Sequence, residues 1–185
     1  MKIQVLNLEG IHTREIKGLE AIGKIFPKDW LAYASLELYR EQRGSREFDL
    51  VIVTYDRVLA IEIKDWNGKL TSDGSSWFLN GESRGKSPVL VIDKKAKILH
   101  GKLGQISHQI QPKANIPVEG LVVLTGTAGK QKLTGEEKKS VFTLDEFLEI
   151  SDEAKYRRVF QSVYRNRGLC KNKDAFRRFF QNNRL

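Results

Sequence analysis

The chain has 185 residues, 40% of them hydrophobic, which is enough for one globular domain with a full core and too few for two large ones. Its 32 lysines and arginines against 23 aspartates and glutamates give a formal charge of +9, which favours a polyanionic partner, nucleic acid first, because each neutralised phosphate releases condensed counterions. A single cysteine, Cys170, excludes an internal disulfide and a cysteine-rich zinc site, and no stretch approaches a membrane span, so a soluble, unprocessed, cytoplasmic protein without membrane contact is expected.

Thr13 to Phe26 reads as a helix: Ile16, Leu19, Ala21, Ile22, Ile25 and Phe26 recur at helical spacing, Thr13 suits the cap, Glu15 falls in the first turn and Pro27 ends it. Trp30 to Tyr39 suits a strand, Glu41 to Arg46 a polar loop containing glycine, and Phe48 to Thr54 a second strand. Tyr55-Asp56-Arg57 is short enough for a hairpin turn into a third strand, Val58 to Lys64. Asp65-Trp66-Asn67-Gly68 breaks that strand, and Lys69 to Thr71 with Trp77 to Leu79, followed by Asn80-Gly81, predicts a further short hairpin.

Ser87-Pro88 begins a helical region whose clearest part is Ile92 to Leu103, with Ile92, Ala96, Leu99 and Leu103 on one face, and a second helical stretch follows from Leu103 to Gln111. Gly120 to Thr125 is a continuous apolar run of the kind found in strands covered on both faces, and suits a central parallel strand reached through a helical crossover. Ser140 to Thr143 is another short strand, and Thr143 with Glu146 forms a capping box for a helix to about Ile150. Ala154 to Leu185 is amphipathic and basic, mixing Arg157, Arg158, Arg177 and Arg178 with Tyr156, Phe160, Phe176, Phe179 and Phe180. No internal repeat is apparent.

The hairpin from Glu47 to Lys64 carries the chemistry. Aspartate is depleted from strands and a buried carboxylate is costly unless paired, yet Asp49 opens one strand while Glu62 and Lys64 close the next on a single face. Two carboxylates and one amine converging at one end of a small sheet suit metal binding and hydrolysis. Taken singly, each residue has an ordinary reading too. Glu62 and Lys64 suit an exposed same-face pair worth under about 1 kcal/mol, Asp49 suits a loop cap, and Glu15 is favoured by the helix dipole alone.

Helix, three antiparallel strands, helix, strand, with twelve residues between Asp49 and Glu62-Ile63-Lys64, resembles the PD-(D/E)XK nuclease superfamily and within it the nuclease-related domain family, NERD. The likeness runs from about Arg14 to Thr125 and rests on Arg14-Glu15, Phe26-Pro27-Lys28-Asp29-Trp30, Glu47-Phe48-Asp49 and Ile61-Glu62-Ile63-Lys64-Asp65-Trp66-Asn67-Gly68. The resemblance implies an α/β fold with a restriction-endonuclease-like α-β-β-β-α-β core, a central mixed sheet flanked by helices, over residues 1–150. Residues 151–185 are then a basic helical extension, a candidate linker to a further module of a longer chain. It implies a metal-dependent nuclease that hydrolyses phosphodiester bonds of DNA, in which Asp49, Glu62 and the Ile63 carbonyl hold Mg²⁺ or Mn²⁺. Lys64 orients the attacking water or stabilises the transition state, and Glu15 completes the catalytic set from the first helix. Such domains are often fused to kinase or helicase modules in bacteria, some in antiphage defence or DNA processing.

One departure stands out. Family members begin the helix after the sheet with an Asn-Pro-rich segment carrying a supporting Gln, whereas Ser87-Pro88-Val89-Leu90-Val91 keeps only the proline, and Gln105 and Gln109 lie too late to match. The alternative reading is therefore a catalytically inactive module that binds nucleic acid or protein on the same fold. Glu47 reads as a solvated loop acid or a supporting residue. His12, His100 and His108 lack mutual metal spacing, and Gly126-Thr127-Ala128-Gly129-Lys130 does not meet the phosphate-loop pattern. The C-terminal arginines and aromatics suit either backbone phosphates or a helix pair covering the domain.

Overall fold

The computed structural model describes residues 1–38, 46–110, 115–162 and 168–182. In chain order these form β1 (Ile3–Val5), α1 (Thr13–Ile25), β2 (Leu31–Leu38), β3 (Arg46–Val53) and β4 (Val58–Lys64), and then the short strands β5 (Leu70–Ser72), β6 (Ser76–Leu79) and β7 (Glu82–Lys86). Next come α2 (Pro88–Leu103), β8 (Val118–Leu124), α3 (Gly135–Lys138), β9 (Val141–Thr143), α4 (Leu144–Glu149), α5 (Glu153–Phe160) and α6 (Lys173–Asn182).

Six strands make one mixed sheet in the order β1-β2-β3-β4-β8-β9. The hairpins β2-β3 and β3-β4 are antiparallel, while β1, β8 and β9 join in parallel. The unbroken apolar runs lie in the middle, and nearly every residue of β3, β4 and β8 from Leu50 to Val53, Val58 to Ile63 and Leu121 to Leu124 is buried, as strands covered by helices require. The crossover from β4 to β8 runs through α2, whose Ile92, Ala96, Leu99 and Leu103 are all buried, as their spacing predicts. This is a mixed α/β architecture with a central sheet flanked by helices, of the restriction-endonuclease-like kind. Among the described residues no helix is long and apolar enough to cross a membrane.

Several local expectations are corrected. Thr13 does not cap α1: His12 is the N-cap, without a side-chain hydrogen bond, and its carbonyl accepts from the Glu15 amide at 2.9 Å, so Thr13 falls in the first turn. Glu47 and Arg46 belong to β3 and not to a loop, since Arg46 pairs with Leu38 and Glu47 with Glu37; residues 41–45 of the expected loop lie outside the described residues. The helical stretch expected from Leu103 to Gln111 is a 3₁₀ helix over Gly104–Gln109, and Gln111 lies outside the described residues. The short hairpin gains a third strand, β7, because Asn80 and Gly81, with φ of 54° and 84°, form the turn that sends the chain back along β6. β7 carries no apolar residue, so a hydrophobic pattern does not reveal it.

That small sheet is fastened by one buried carboxylate. Glu137, 5% exposed, accepts from Trp77 Nε1 and Ser87 Oγ at 2.7 Å on one oxygen and from Thr134 Oγ1 at 2.8 Å on the other. It therefore joins β6, the start of α2 and the capping box of α3. Burial pushes its pKa up, but the donated hydrogen bonds outweigh burial and hold it below the usual carboxylate range. Residues 153–182, where described, pack on the same core. Tyr156 is buried with its hydroxyl 2.6 Å from Thr54 Oγ1, and the Phe180 ring lies 4.4 Å from that of Tyr33.

Glu137→Ala strands three donors, and with about 1 to 3 kcal/mol for each buried group left unpaired it is expected to lower the unfolding free energy by about 2 to 4 kcal/mol. Urea denaturation with an unchanged m-value measures this, and a loss below about 0.5 kcal/mol would refute the fastening role.

Candidate functional site

Strand register builds the site. The pairs Leu50↔Ile61 and Val51↔Ala60, continued by one step, set Asp49 across from Glu62 on one face of the hairpin. The twist between the strands lets Asp49 Oδ2 accept the Ile63 amide at 2.6 Å. Burial, followed by the charge of Glu62, pushes the Asp49 carboxyl up to about 7. Glu62 is 9% exposed, and its two oxygens accept from two ammonium groups, Lys64 Nζ at 2.8 Å and Lys95 Nζ at 2.7 Å. Burial raises the Glu62 pKa, but the charges of Lys64 and Lys95 outweigh it and hold the group below its ordinary value. For Lys64, burial favours the neutral amine, and the charges of Glu62, Asp49 and Glu15 reverse that and keep it a firm cation.

Glu15 enters from the first turn of α1. Burial raises its pKa against the opposing charges of His12 and Lys64, and its own charge bears on both Asp49 and Lys64. Between that turn, from His12 to Glu15, and the end of β4, from Ile63 to Trp66, opens a cleft of about 410 Å³. All four side chains expected to act together, Glu15, Asp49, Glu62 and Lys64, thus share one electrostatic environment at one end of the sheet, and Ile63 lines the cleft beside them.

The surroundings fix that end. A Cβ on Gly18 would come within 2.8 Å of the Thr125 side chain, so a residue without one lets α1 sit close to the end of β8 and carry Glu15 inward. The segment after β4 is clamped to the segment after β8: Lys64 O accepts from Thr125 N at 3.1 Å, Trp66 O from Ala128 N at 2.9 Å and Asn67 Oδ1 from Thr127 N at 2.9 Å. Gly126 is required in that clamp, because a Cβ there would lie 2.2 Å from Trp66 O. The glycine-containing loop that fails as a phosphate loop is therefore a brace for Lys64-Asp65-Trp66-Asn67, and its Lys130 pairs with Glu146 at 2.9 Å.

Two residues escape the sequence pattern. Lys95 lies on α2 next to the buried Ala96, and the one available signal is a lysine bordering an apolar stripe on the helix that follows the hairpin. Ser35 sits on β2 between the pairs Ala34↔Leu50 and Leu36↔Phe48, hence across from Asp49, with φ of 51° and a buried hydroxyl that has no hydrogen-bond partner among the described residues. A non-glycine residue in the left-handed region within a strand is strained, and such strain gathers at functional sites. Gln105, Gln109, His100 and His108 are exposed and lie off this cleft. Among the described residues no three His, Cys, Asp or Glu side chains come together as a metal cluster.

A mixed sheet flanked by helices, with an aspartate, a glutamate and a lysine at one strand end and a helical glutamate facing them, defines the class of restriction-endonuclease-like folds. The chain belongs to the nuclease-related domain family, NERD, one of the PD-(D/E)XK-like nucleases, whose sequence model matches residues 12–125. Over 153 residues it is 29% identical to the probable kinase PglW of Streptomyces coelicolor, an alignment that covers 79% of this chain and 9% of that protein. The chain thus spans about a tenth of the length of this curated relative.

Asp49 is harder to ionise in the folded chain than in the unfolded one, where aspartate titrates near about 3.9. The folded state therefore holds the extra proton between about pH 4 and 7, and the stability that this provides is lost as pH rises through that window. Asp49→Asn keeps an acceptor for the Ile63 amide and removes the charge. It is expected to raise the melting temperature at about pH 8 and to leave it near wild type at about pH 4. Thermal melts at both values check this, and an equal difference at the two would overturn it.

Proposed function

We propose that this chain is a nuclease domain that hydrolyses phosphodiester bonds of DNA, with Asp49, Glu62, Lys64 and Glu15 as its working residues. The convergence of these four at one end of the sheet, with Glu15 and Lys64 lining a cleft there, in a chain of the nuclease-related family, supports this reading. The donor set suits a hard divalent cation. Two opposed carboxylates, one with its pKa raised by burial and by the charge of the other, are a demand for positive charge that Mg²⁺ or Mn²⁺ meets. Magnesium is held by one or two carboxylates, with waters and substrate phosphates filling the rest, so Asp49 and Glu62 are enough carboxylates for it. Asp49, Glu62 and the Ile63 carbonyl would hold the ion, which when bound supplies charge neutralisation at the phosphoryl oxygens and a more acidic water.

The chain's own groups divide the remaining work. Lys64, kept protonated by its acidic neighbours, serves as a fixed positive charge for the developing phosphorane and not as a base. Glu15, its pKa raised by burial, faces the same cleft and is suited to accept a proton from the attacking water. Occupation of both Glu62 oxygens by lysines, together with the lost Gln position, favours a second reading: a catalytically silent module that binds nucleic acid or protein. Kinship with part of a probable kinase supports a role as one module of a larger chain, the basic end leading to the next module, with antiphage defence or DNA processing as its setting.

Incubation with plasmid and oligonucleotide substrates plus Mg²⁺ or Mn²⁺ tests the enzyme. Asp49→Ala and Lys64→Ala are each expected to cost at least about 100-fold in rate, the scale of removing one transition-state interaction in a closed site. Equal cleavage by all three proteins, or none even with Mn²⁺, would sink the hydrolytic reading.

A further inference from the structure

On the far side of Lys95 from Glu62 lies a second opening, of about 490 Å³, lined by Arg46 from β3, Lys86 from β7 and Lys94, Lys95 and Lys97 from α2, over a floor of Val91 and Ile98. Among the described residues only Lys95 of these cations forms an ion pair, the one to Glu62 at 2.7 Å. Lys97 stands within charge range of Asp93, one turn back on α2, while Arg46, Lys86 and Lys94 gather with no ion-pair partner among the described residues. Lys86 presses on Lys94 strongly enough to hold its ammonium below the ordinary range, although both side chains are exposed. Like charges kept together on a surface as Lys86 and Lys94 are await an anion from outside.

The shape narrows the class of anion. The cations come from three elements and form an open groove, so they match a row of charges more closely than a single small ion. Lys95 lines this opening and its ammonium touches Glu62, and Arg46 begins the strand that carries Asp49. A backbone with phosphates about 3.4 Å apart along its axis would meet several of these cations in succession and reach the cleft beside Glu62.

We infer that the groove between β7 and α2, formed by Arg46, Lys86, Lys94 and Lys97, binds the phosphodiester backbone flanking the bond held at Asp49 and Glu62. The inference rests on the nuclease reading for the direction in which the backbone runs, but its binding step can be measured apart from cleavage. Contacts there are to phosphate, so they position the strand without reading its bases. The groove also assigns a use to β7, whose five residues are all exposed.

The test is fluorescence anisotropy of the full chain with a labelled oligonucleotide in EDTA, over a series of salt concentrations. Lys86→Glu with Lys94→Glu is expected to weaken binding at least about tenfold and to lower the slope of log affinity against log salt by about one unit for each phosphate no longer neutralised. The same reversal of charge on α6, Lys173→Glu with Arg178→Glu, should leave affinity within about twofold, once circular dichroism shows both variants folded. Indifference to the groove variant, or a loss confined to the α6 variant, overturns the groove whether or not the protein cleaves. Wild type that binds through the groove but cuts nothing with Mg²⁺ or Mn²⁺ sinks the nuclease reading and leaves the groove standing, and wild type that binds no nucleic acid overturns both.

Discussion

Two carboxylates set opposite each other on neighbouring strands repel, and the organisation of this molecule follows from what offsets that repulsion. Asp49 and Glu62 are forced together because β3 and β4 are buried on both faces, where a slip by one residue would move every side chain to the opposite, differently packed face. Three groups answer the charge: the Ile63 amide on Asp49, and the ammonium groups of Lys64 and Lys95 on Glu62. The two acids are treated unequally. Glu62 receives both cations and stays ionised, while Asp49, with one amide, is pushed up to about 7 and shares its proton with solvent near physiological pH. Pairs of titratable groups whose surroundings drive their pKa values apart are a recurrent feature of sites that bind cations or move protons.

The rest of the fold holds that strand end in place. β4 is tied on one side to β3 and on the other to β8, and beyond its last residue the chain remains pinned through Trp66 and Asn67 to the loop at Gly126. Glu137 then fastens the small three-stranded sheet to the beginning of α2, the helix that supplies Lys95 to Glu62 and borders the basic groove. A buried carboxylate with three donors is costly to disrupt, which suits a joint between two layers. Ser87, at the position where a helix cap would be expected, gives its hydroxyl to this joint instead of to its own helix.

Much of this is legible in the residues alone, and for a definite reason. Leu50 to Val53, Val58 to Ile61 and Leu121 to Leu124 are continuous apolar runs, and Ile92, Ala96, Leu99 and Leu103 recur at helical spacing, so burial is written into the pattern of residues. Exposed or polar structure leaves no such trace. β7 has no apolar residue to announce it, Thr13 is a good cap by type yet falls inside α1, and the stretch after α2 tightens into a 3₁₀ helix. Lys95 and Ser35 stay invisible because each matters through a neighbour far away in sequence, Glu62 in one case and the strand bearing Asp49 in the other.

By itself, then, the sequence determined the sheet's central strands, the order of the core elements from α1 through β4 and α2 to β8, and the candidate set Glu15, Asp49, Glu62 and Lys64, since periodicity and local motif are properties of nearby residues. The tertiary structure alone decided the charge state of that set and its company. The high pKa of Asp49, the second lysine on Glu62, the brace at Gly126 and the unpaired basic groove beside α2 all arise from burial and from contacts between elements distant in the chain, quantities that no local pattern of residues encodes.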